Sequence, residues 1–360
     1  MHLYLFWRVI GWSAVKSNRS RNIIFGVFGL LWFTFVIGLF YGHDGSGFLA
    51  AELEMFNMLC FGTLFIMALP LLAVDIITAF GFLFSQFRAQ LRSFALVAGV
   101  LLTLFALVQG IRPPVIQNHT VYLADLPKDL DRTTVVAISD THIGSILGAD
   151  WLNDRVTQVL DQKPDLIVFL GDFLEGHGAQ QTTELLPILE RLSAPLGIWA
   201  VAGNHDTYGR DNQSLALLEE AGVQVLRNQL IQIKPGFNLI GLDYERDDET
   251  QSGHSGEFIK KTLANLPKGA TLLLSHEQKA VPEADKAGVG IMLSGHTHGG
   301  QIWPFDYLVQ NRYPYLEGRY EFENMSLIVT RGAGTWGPIM RLWQPGEILH
   351  ITLRKGTQNE

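Results

Sequence analysis

The chain has 360 residues, enough for about two domains of roughly 150 residues each, and a mean hydropathy of +0.17. Residues 1–111 carry six basic and four acidic side chains, whereas residues 112–360 carry 21 basic and 31 acidic ones; this acidic remainder argues against a nucleic-acid-binding protein. Cys60 is the single cysteine, which excludes an internal disulfide and restricts any metal site to His, Asp and Asn ligands.

Three apolar stretches in the first third predict membrane-spanning helices, at about 23–41, 57–80 and 94–111. The first has no charged residue over 19 positions, which is about the length that crosses a bilayer as a helix. The second is interrupted by Pro70 and Asp75. A carboxylate inside a span indicates a functional site by default, although a structural role near the interface is an equally good interpretation of Asp75.

The opening segment, residues 1–15, is apolar but short and is broken by Arg8. We interpret it as an interfacial helix or a partial span. No small-residue cleavage site follows it, so a removed signal peptide is not expected.

The charges of the short loops predict the orientation of the spans. Residues 16–21 and 85–93 are basic, whereas residues 42–55 contain acidic side chains and no basic ones. Basic loops stay in the cytoplasm, so the third span leads outward. We therefore expect a multi-pass protein of the cytoplasmic (inner) membrane with an extracytoplasmic catalytic domain.

Residues 112–132 are expected to form a linker, because Pro113 and Pro114 disfavour a helix. In residues 133–360, short β-branched stretches then alternate with helical patterns, which predicts an α/β layered fold. The expected strands are 133–139, 165–170, 197–202, 238–243, 271–275, 290–294, 326–330 and 347–353. The expected helices lie near 149–161, 182–193, 213–222 and 256–265.

Five of these strands are followed by side chains that commonly bind metals, in the region where open α/β sheets bind ligands. They are Asp140, His142, Asp172, Asn204, His276, His296 and His298. Seven O and N donors suit two ions, each with four protein ligands, if one carboxylate bridges; Asp172 is the natural bridge. This donor mixture suits Mn, Fe, Zn or Co. Two such ions can share a bridging hydroxide and clamp a phosphoryl oxygen.

The short spacings carry further expectations. One residue separates Asp140 from His142 and His296 from His298, so both pairs should point the same way from extended backbone. Gly295, Gly299 and Gly300 should permit positive φ and a close backbone approach.

His205 directly follows Asn204, so it should face the substrate as a general acid. Asp206 and Glu175 are both candidates for the acid that orients its imidazole.

These motifs resemble those of the calcineurin-like metallophosphoesterases. The resemblance runs over about 133–353 and depends on the order of five motifs: Asp140-x-His142, Gly171-Asp172, Gly203-Asn204-His205-Asp206, His276 and Gly295-His296-Thr297-His298. It implies a four-layer αββα sandwich with a dinuclear centre. By motif, Asp140, His142, Asp172 and His298 would bind one ion. Asp172, Asn204, His276 and His296 would bind the other, and His205 would be the catalytic histidine.

Within this family, the sequence departs from the phosphoprotein phosphatases. Their second motif is followed by Asp-Arg-Gly, but residues 171–176 contain no arginine. The His-Gly-Gly-Gln at 298–301 and the tail at 312–348 look like the membrane-anchored bacterial phosphodiesterases of the YkuE/YaeI type. Some relatives hydrolyse the UDP-2,3-diacylglucosamine pyrophosphate of lipid A synthesis. That substrate is cytoplasmic, which conflicts with the predicted topology, so a lipid A pyrophosphatase is the alternative.

Two features are candidates for substrate contacts. Arg331 and Arg341 flank a glycine-rich stretch, where they could bind phosphate or be ordinary surface arginines. An aromatic stretch after the metal motif could rest on the membrane interface or pack in the core. Its members are Trp303, Phe305, Tyr307, Tyr313 and Tyr315.

The sequence thus predicts a membrane-anchored, dinuclear-metal-dependent phosphoesterase. Its substrate would be a phosphodiester or a phosphomonoester, with a lipid or cell-envelope compound among the options. The expected partners are this substrate and the bilayer; no nucleic acid and no protein partner is expected. A catalytically silent receptor or scaffold is the alternative of another class. Such a protein should have lost metal donors or the acid, whereas this chain contains all of them.

Overall fold

The computed structural model describes residues 1–12, 15–38, 48–144, 146–175, 182–207, 213–244 and 254–357. The chain divides into two compact units. A helical unit contains Met1–Arg112 together with Gly337–Trp343. The second unit contains Pro113–Trp336 and Gln344–Glu360, and it is called the catalytic unit below because the sequence predicts the catalytic domain there.

The helical unit contains α1 (His2–Ile10), α2 (Asn18–Ile37), α3 (Phe48–Ile77) and α4 (Arg88–Ile111). Three helical segments, 18–37, 49–77 and 85–111, are long and apolar enough to cross a membrane. Each overlaps one of the predicted spans. The nine residues of α1 rise only about 14 Å, which is too short to span a bilayer.

Asp75 is paired within the helical unit. Its carboxylate lies 2.6 Å from Nε of Arg8 and accepts a hydrogen bond of 2.5 Å from the Tyr4 hydroxyl. Arg92 lies 4.0 Å from the same carboxylate. A buried charge is costly unless it is paired and hydrogen-bonded. Asp75, which lies on α3, therefore joins this helix to α1 and α4.

A segment from late in the chain, Gly337–Trp343, is also part of the helical unit. The backbone N–H of Arg341 donates to the carbonyl oxygen of Ala106 at 3.0 Å. Gly110 makes room for the segment, since a Cβ there would lie 2.6 Å from the carbonyl oxygen of Ile339. Close backbone packing of this kind is a common reason for glycine in a helix.

The catalytic unit contains two six-stranded sheets. In spatial order, the first contains β1 (Val115–Leu123), β12 (Glu347–Lys355), β2 (Thr134–Ile138), β3 (Leu166–Phe169), β4 (Ile198–Ala200) and β5 (Gln224–Val225). The second contains β10 (Gly318–Glu321), β11 (Ser326–Val329), β9 (Ile291–Ser294), β8 (Ala270–Leu274), β7 (Phe237–Gly241) and β6 (Gln229–Lys234). All eight predicted strands are present. The neighbours β2, β3 and β4 are parallel, as are β7, β8 and β9.

The strands form a four-layer arrangement with a core between the sheets. On β2, Val135 belongs to the cluster that joins both sheets, whereas Val136 belongs to the outer cluster, as strand alternation requires. That outer cluster includes residues of α5 (Ala149–Leu160), α6 (Thr182–Leu189) and α7 (Gln213–Glu220). The outer face of the second sheet packs on α8 (His254–Ala264) and α9 (Val281–Lys286), and α10 (Phe305–Arg312) follows β9. The predicted αββα fold class is confirmed.

The structure differs from the expected linker at 112–132. Residues 115–123 form β1, which pairs in parallel with the whole of β12. The polar residues and the two prolines before it concealed this strand, because only Val121 and Leu123 are buried on it. An edge strand with one solvated face gives a weak apolar signal.

Candidate metal centre

The seven candidate ligands converge because each follows the carboxyl end of a strand. Asp140 and His142 follow β2, Asp172 follows β3, and Asn204 follows β4. From the second sheet, His276 follows β8, and the 296–298 pair follows β9. Carboxyl ends of parallel strands meet at one edge of a sheet.

The first group of ligand atoms belongs to Asp140, His142 and His298, and all of its atoms lie within 4.8 Å of one another. Nε2 of His142 lies 3.1 Å from Nε2 of His298, and the latter lies 3.4 Å from Oδ1 of Asp140. Two imidazole nitrogens facing each other beside a carboxylate form a donor set that suits a borderline divalent cation.

The second group is centred on His276. Its Nε2 lies 3.1 Å from Nδ1 of His296 and 3.2 Å from Oδ1 of Asn204. Its Nδ1 faces the Leu170 carbonyl oxygen at 2.7 Å, which orients the ring so that Nε2 points into the group. Burial lowers the pKa of His276, but the charge of Asp172 outweighs it and raises the pKa to about 10. A cation would therefore replace a proton here.

Asp172 lies between the two groups. Its Oδ2 is 3.2 Å from Nε2 of His276 and 3.8 Å from Nε2 of His142, so one carboxylate oxygen faces a histidine of each group. Its Oδ1 accepts a hydrogen bond of 2.8 Å from the backbone N–H of His205. Burial opposes ionisation, but the His276 charge holds the pKa of Asp172 well below its usual range.

Burial also shifts the pKa values of other candidate ligands. Burial, with the charge of His276, lowers the pKa of His296 to about 3, so this imidazole keeps a lone pair for a cation. Burial also raises the pKa of Asp140. Shifts of this kind concentrate at functional sites.

The backbone at these ligands is left-handed, not extended. The φ angles are 53° at Asp140, 45° at His142, 53° at Asp172, 75° at His296 and 51° at His298. The expectation of two extended pairs was therefore wrong, because the strands end at Ile138 and Ser294, before the pairs begin. Non-glycine residues in this region are strained and cluster at functional sites.

Two of the three predicted glycine roles are confirmed, since φ is 60° at Gly299 and 76° at Gly300. Gly295 provides space instead: a Cβ there would lie 2.1 Å from Oγ of Ser139 and 2.4 Å from Oδ2 of Asp140.

Glu175 and Asp206 have different environments. Oε2 of Glu175 lies 3.0 Å from Nδ1 of His205 and 2.5 Å from Nδ1 of His142. Burial opposes its ionisation, but hydrogen bonds with both histidines lower the pKa of Glu175 to about 2. Of the two candidates, Glu175 is the one in contact with the His205 ring.

Asp206 organises backbone instead. Its carboxylate accepts hydrogen bonds from the backbone N–H groups of Asp172, Phe173 and Gly203, at 2.7, 3.0 and 2.9 Å. The Ser214 hydroxyl donates a fourth at 2.5 Å. Asp206 therefore joins the two loops that follow β3 and β4.

The two arginines that were candidates for substrate contacts differ in their surroundings. Nη2 of Arg331 lies 2.5 Å from Oε2 of Glu347, and its Nε lies 3.6 Å from Oε2 of Glu317. Arg341 belongs to the helical unit and is 1% exposed. Arg331 thus pairs with two carboxylates of the protein.

Two contacts of His296 were not predicted. The Tyr313 hydroxyl lies 2.8 Å from its Nε2, and Oε1 of Glu277 lies 3.4 Å from the same atom. Tyr313 belongs to the aromatic stretch, but no spacing rule marks it as a neighbour of this histidine. Glu277 directly follows His276, which was the available signal.

Comparisons with known proteins agree with this geometry. Residues 133–300 match the calcineurin-like phosphoesterase family. An uncharacterized metallophosphoesterase of Helicobacter pylori is 32% identical over 68% of this chain and 65% of its own. The metallophosphoesterase YkuE of Bacillus subtilis is 30% identical over 66% of this chain and 84% of its own. A Danio rerio "transmembrane protein with metallophosphoesterase domain" is 28% identical over 72% of this chain and 62% of its own.

The chain thus spans slightly less than two thirds of the Helicobacter and Danio relatives, but most of YkuE. The family match extends past His298 and therefore covers all five strand ends that carry candidate ligands. The chain belongs to the calcineurin-like metallophosphoesterases.

Proposed function

We propose that this protein is a membrane-anchored phosphodiesterase that uses two divalent metal ions. The observation that carries the proposal is the position of Asp172, whose Oδ2 faces a histidine of each ligand group. A carboxylate between two sets of imidazole, carboxylate and amide donors is suited to bridge a pair of ions.

The donor set fits the two ions that the family resemblance implies. Asp140, His142 and His298 would hold one ion, and Asn204, His276 and His296 the other, with Asp172 shared. Bound divalent ions would supply an activated water and offset the charge on the phosphoryl oxygens. The donors suit Mn, Fe, Zn or Co alike.

His205 is the proposed general acid. Its side chain is 14% exposed, so a substrate can reach it, and its Nδ1 faces the Glu175 carboxylate at 3.0 Å. A carboxylate that accepts from Nδ1–H orients the ring, so that the Nε2–H of the imidazolium form is the proton to be donated. Nε2 would protonate the alkoxide oxygen that leaves phosphorus.

A diester needs fewer cations for its recognition than a monoester. Arg331 already pairs with Glu347 and Glu317. Its positive charge is therefore largely neutralised within the protein. A diester carries one negative charge at neutral pH and a monoester close to two, so the monoester has the greater need of additional cations.

The activity is tested with the purified full-length chain in detergent. Metal is removed with a chelator, and Mn²⁺ is then restored during assays with bis(p-nitrophenyl) phosphate and p-nitrophenyl phosphate. We expect Mn²⁺-dependent hydrolysis with the diester preferred. His296→Ala should lower kcat/KM at least about a hundredfold, as for the loss of other strong electrostatic groups. His119→Gln, on β1, is the matched control and should retain activity. Equal activity in wild type and His296→Ala would contradict the metal centre, and a faster monoester would overturn the diester assignment.

We also propose that the helical unit spans the cytoplasmic membrane with the catalytic unit outside. Three segments of sufficient length and apolarity support the spans, and the Danio relative is named as a transmembrane protein. The orientation is supported by the basic loops at 16–21 and 85–93 and the acidic segment between them.

Cysteine labelling tests this orientation. In a Cys60→Ser background, Glu219→Cys places a thiol on the exposed end of α7, and Lys16→Cys places one before α2. We expect a membrane-impermeant maleimide to label position 219 in intact spheroplasts. Position 16 should be labelled only after lysis. The reverse pattern would place the catalytic unit in the cytoplasm.

A further inference from the structure

Exposed apolar side chains are concentrated in one part of the catalytic unit. Among its described residues, seven large apolar side chains are more than a third exposed. Two of them, Val115 and Tyr122, lie on β1. The other five, which we call the aromatic patch, are Trp303, Phe305, Tyr307, Leu308 and Trp336. Large exposed apolar groups that cluster in this way mark binding surfaces.

The aromatic patch begins where the metal-ligand loop ends. Residues 298–300 form a short turn, and α10, which carries three patch residues, follows after four intervening residues. The turn and the helix are in direct contact, because a Cβ on Gly300 would lie 2.3 Å from Cα of Asp306. The loop that carries His298 therefore also positions the exposed residues of α10.

Trp336 connects the patch to the proposed general acid. The Gln301 amide donates to the Trp336 carbonyl oxygen at 3.0 Å, and the Gln301 amide oxygen accepts from the Trp336 N–H at 2.9 Å. This reciprocal pair fixes the tryptophan backbone to the ligand loop. The Trp336 ring lies 6.5 Å from the His205 ring, centroid to centroid, yet half of the tryptophan remains exposed.

The aromatic patch, one member of which lies beside the proposed acid, suits an occupant with a large apolar part. A small hydrophilic phosphoester would leave Tyr307 and Leu308 in water, at 64% and 67% exposure. An alkyl chain attached near the phosphorus would remove apolar surface from water on both sides, and this is the main driving force of such association. Tryptophan and tyrosine also suit ligands that have an apolar body and a polar end.

We propose that the aromatic patch binds the apolar chain of an amphiphilic phosphoester, with the phosphoryl group at the candidate metal ligands and the ester oxygen near His205. The substrate class is therefore a phosphoester that carries an alkyl or acyl chain. This inference rests on the proposed phosphodiesterase activity and names its substrate class.

Chain length is the variable that tests this proposal. The full-length protein in detergent is assayed with methyl p-nitrophenyl phosphate and octyl p-nitrophenyl phosphate, both below the micellar concentration of the octyl ester. Each buried methylene contributes about 0.8 kcal/mol, or roughly a fourfold change. Even partial burial of the octyl chain should therefore make kcat/KM at least about tenfold higher for the octyl ester. We expect most of this preference in KM.

Substitutions inside and outside the aromatic patch test whether the patch causes the chain-length preference. Tyr307→Ser/Leu308→Ser and Trp336→Ala should each reduce the octyl-to-methyl ratio at least about threefold. Tyr122→Ser, an exposed tyrosine on β1, is the matched control and should keep the wild-type ratio. Hydrolysis of both esters without a chain-length preference would overturn the inference and leave the phosphodiesterase standing. An equal loss on both esters in the patch variants would also overturn it. Failure to cleave either ester would instead contradict the proposed function.

Discussion

Replacing Asp172 by asparagine is expected to reduce kcat about a hundredfold to a thousandfold. The reason is its shared position, since Oδ2 lies 3.2 Å from Nε2 of His276 and 3.8 Å from Nε2 of His142. An amide has no negative charge to hold two cations together. Elemental analysis of the purified variant should give one metal ion or fewer per chain, against two in the wild type.

Asp165→Asn is the control for this substitution. Asp165 precedes the same strand, β3, and accepts a hydrogen bond of 2.8 Å from the backbone of Thr134. It is therefore an aspartate at the opposite end of the strand from the candidate ligands. We expect this variant to keep both metal ions and its activity. Two bound ions and wild-type turnover in Asp172→Asn would refute the bridging role.

Replacing His205 by asparagine is expected to reduce hydrolysis according to the leaving group. General acid catalysis contributes roughly a hundredfold to ten-thousandfold, but only when the leaving oxygen needs a proton. We therefore expect a large loss with alkyl leaving groups and a much smaller one with p-nitrophenolate, which is weakly basic. Rates against a series of leaving groups of rising basicity measure this effect directly.

Glu175→Gln provides the companion measurement. Loss of a carboxylate that orients a histidine typically costs about tenfold to a hundredfold. The double variant should be no slower than His205→Asn alone, because residues that act as a unit are not additive. A uniform loss for all leaving groups in His205→Asn would indicate that His205 only positions the substrate. Fully additive losses would show that Glu175 acts separately, through His142, which it also contacts at 2.5 Å.

The convergence of the candidate ligands could be predicted because it depends on topology. Polar residues at the carboxyl ends of parallel strands meet at one edge, and the order of strand patterns was readable from β-branched stretches such as 165–170. The α/β layering followed from the same alternation, whereas the αββα order of the layers was implied by the family resemblance. These features are properties of backbone direction and of burial, and both leave a periodic trace in the sequence.

Three details of the site could not be predicted from sequence periodicity. The left-handed φ angles at Asp140 and His296 are set by the loops packed against them, and neither residue type requires that conformation. The choice between Glu175 and Asp206 depends on where two loops meet in space. Likewise, Arg331 could not be distinguished from a substrate ligand until its contact with Glu347 was visible. Contacts between residues distant in sequence decide all three.

The position of Gly337–Trp343 determines whether the catalytic unit can be produced alone. A shortened chain that begins at Pro113 would keep this segment but lose every helix on which it packs. Met340 and Leu342, now 0% and 4% exposed, would then face water. The backbone N–H of Arg341 would also lose its acceptor, the carbonyl oxygen of Ala106. Such a fragment should be prone to self-association through this segment. Biochemical work on this protein therefore calls for a chain that retains the helical unit.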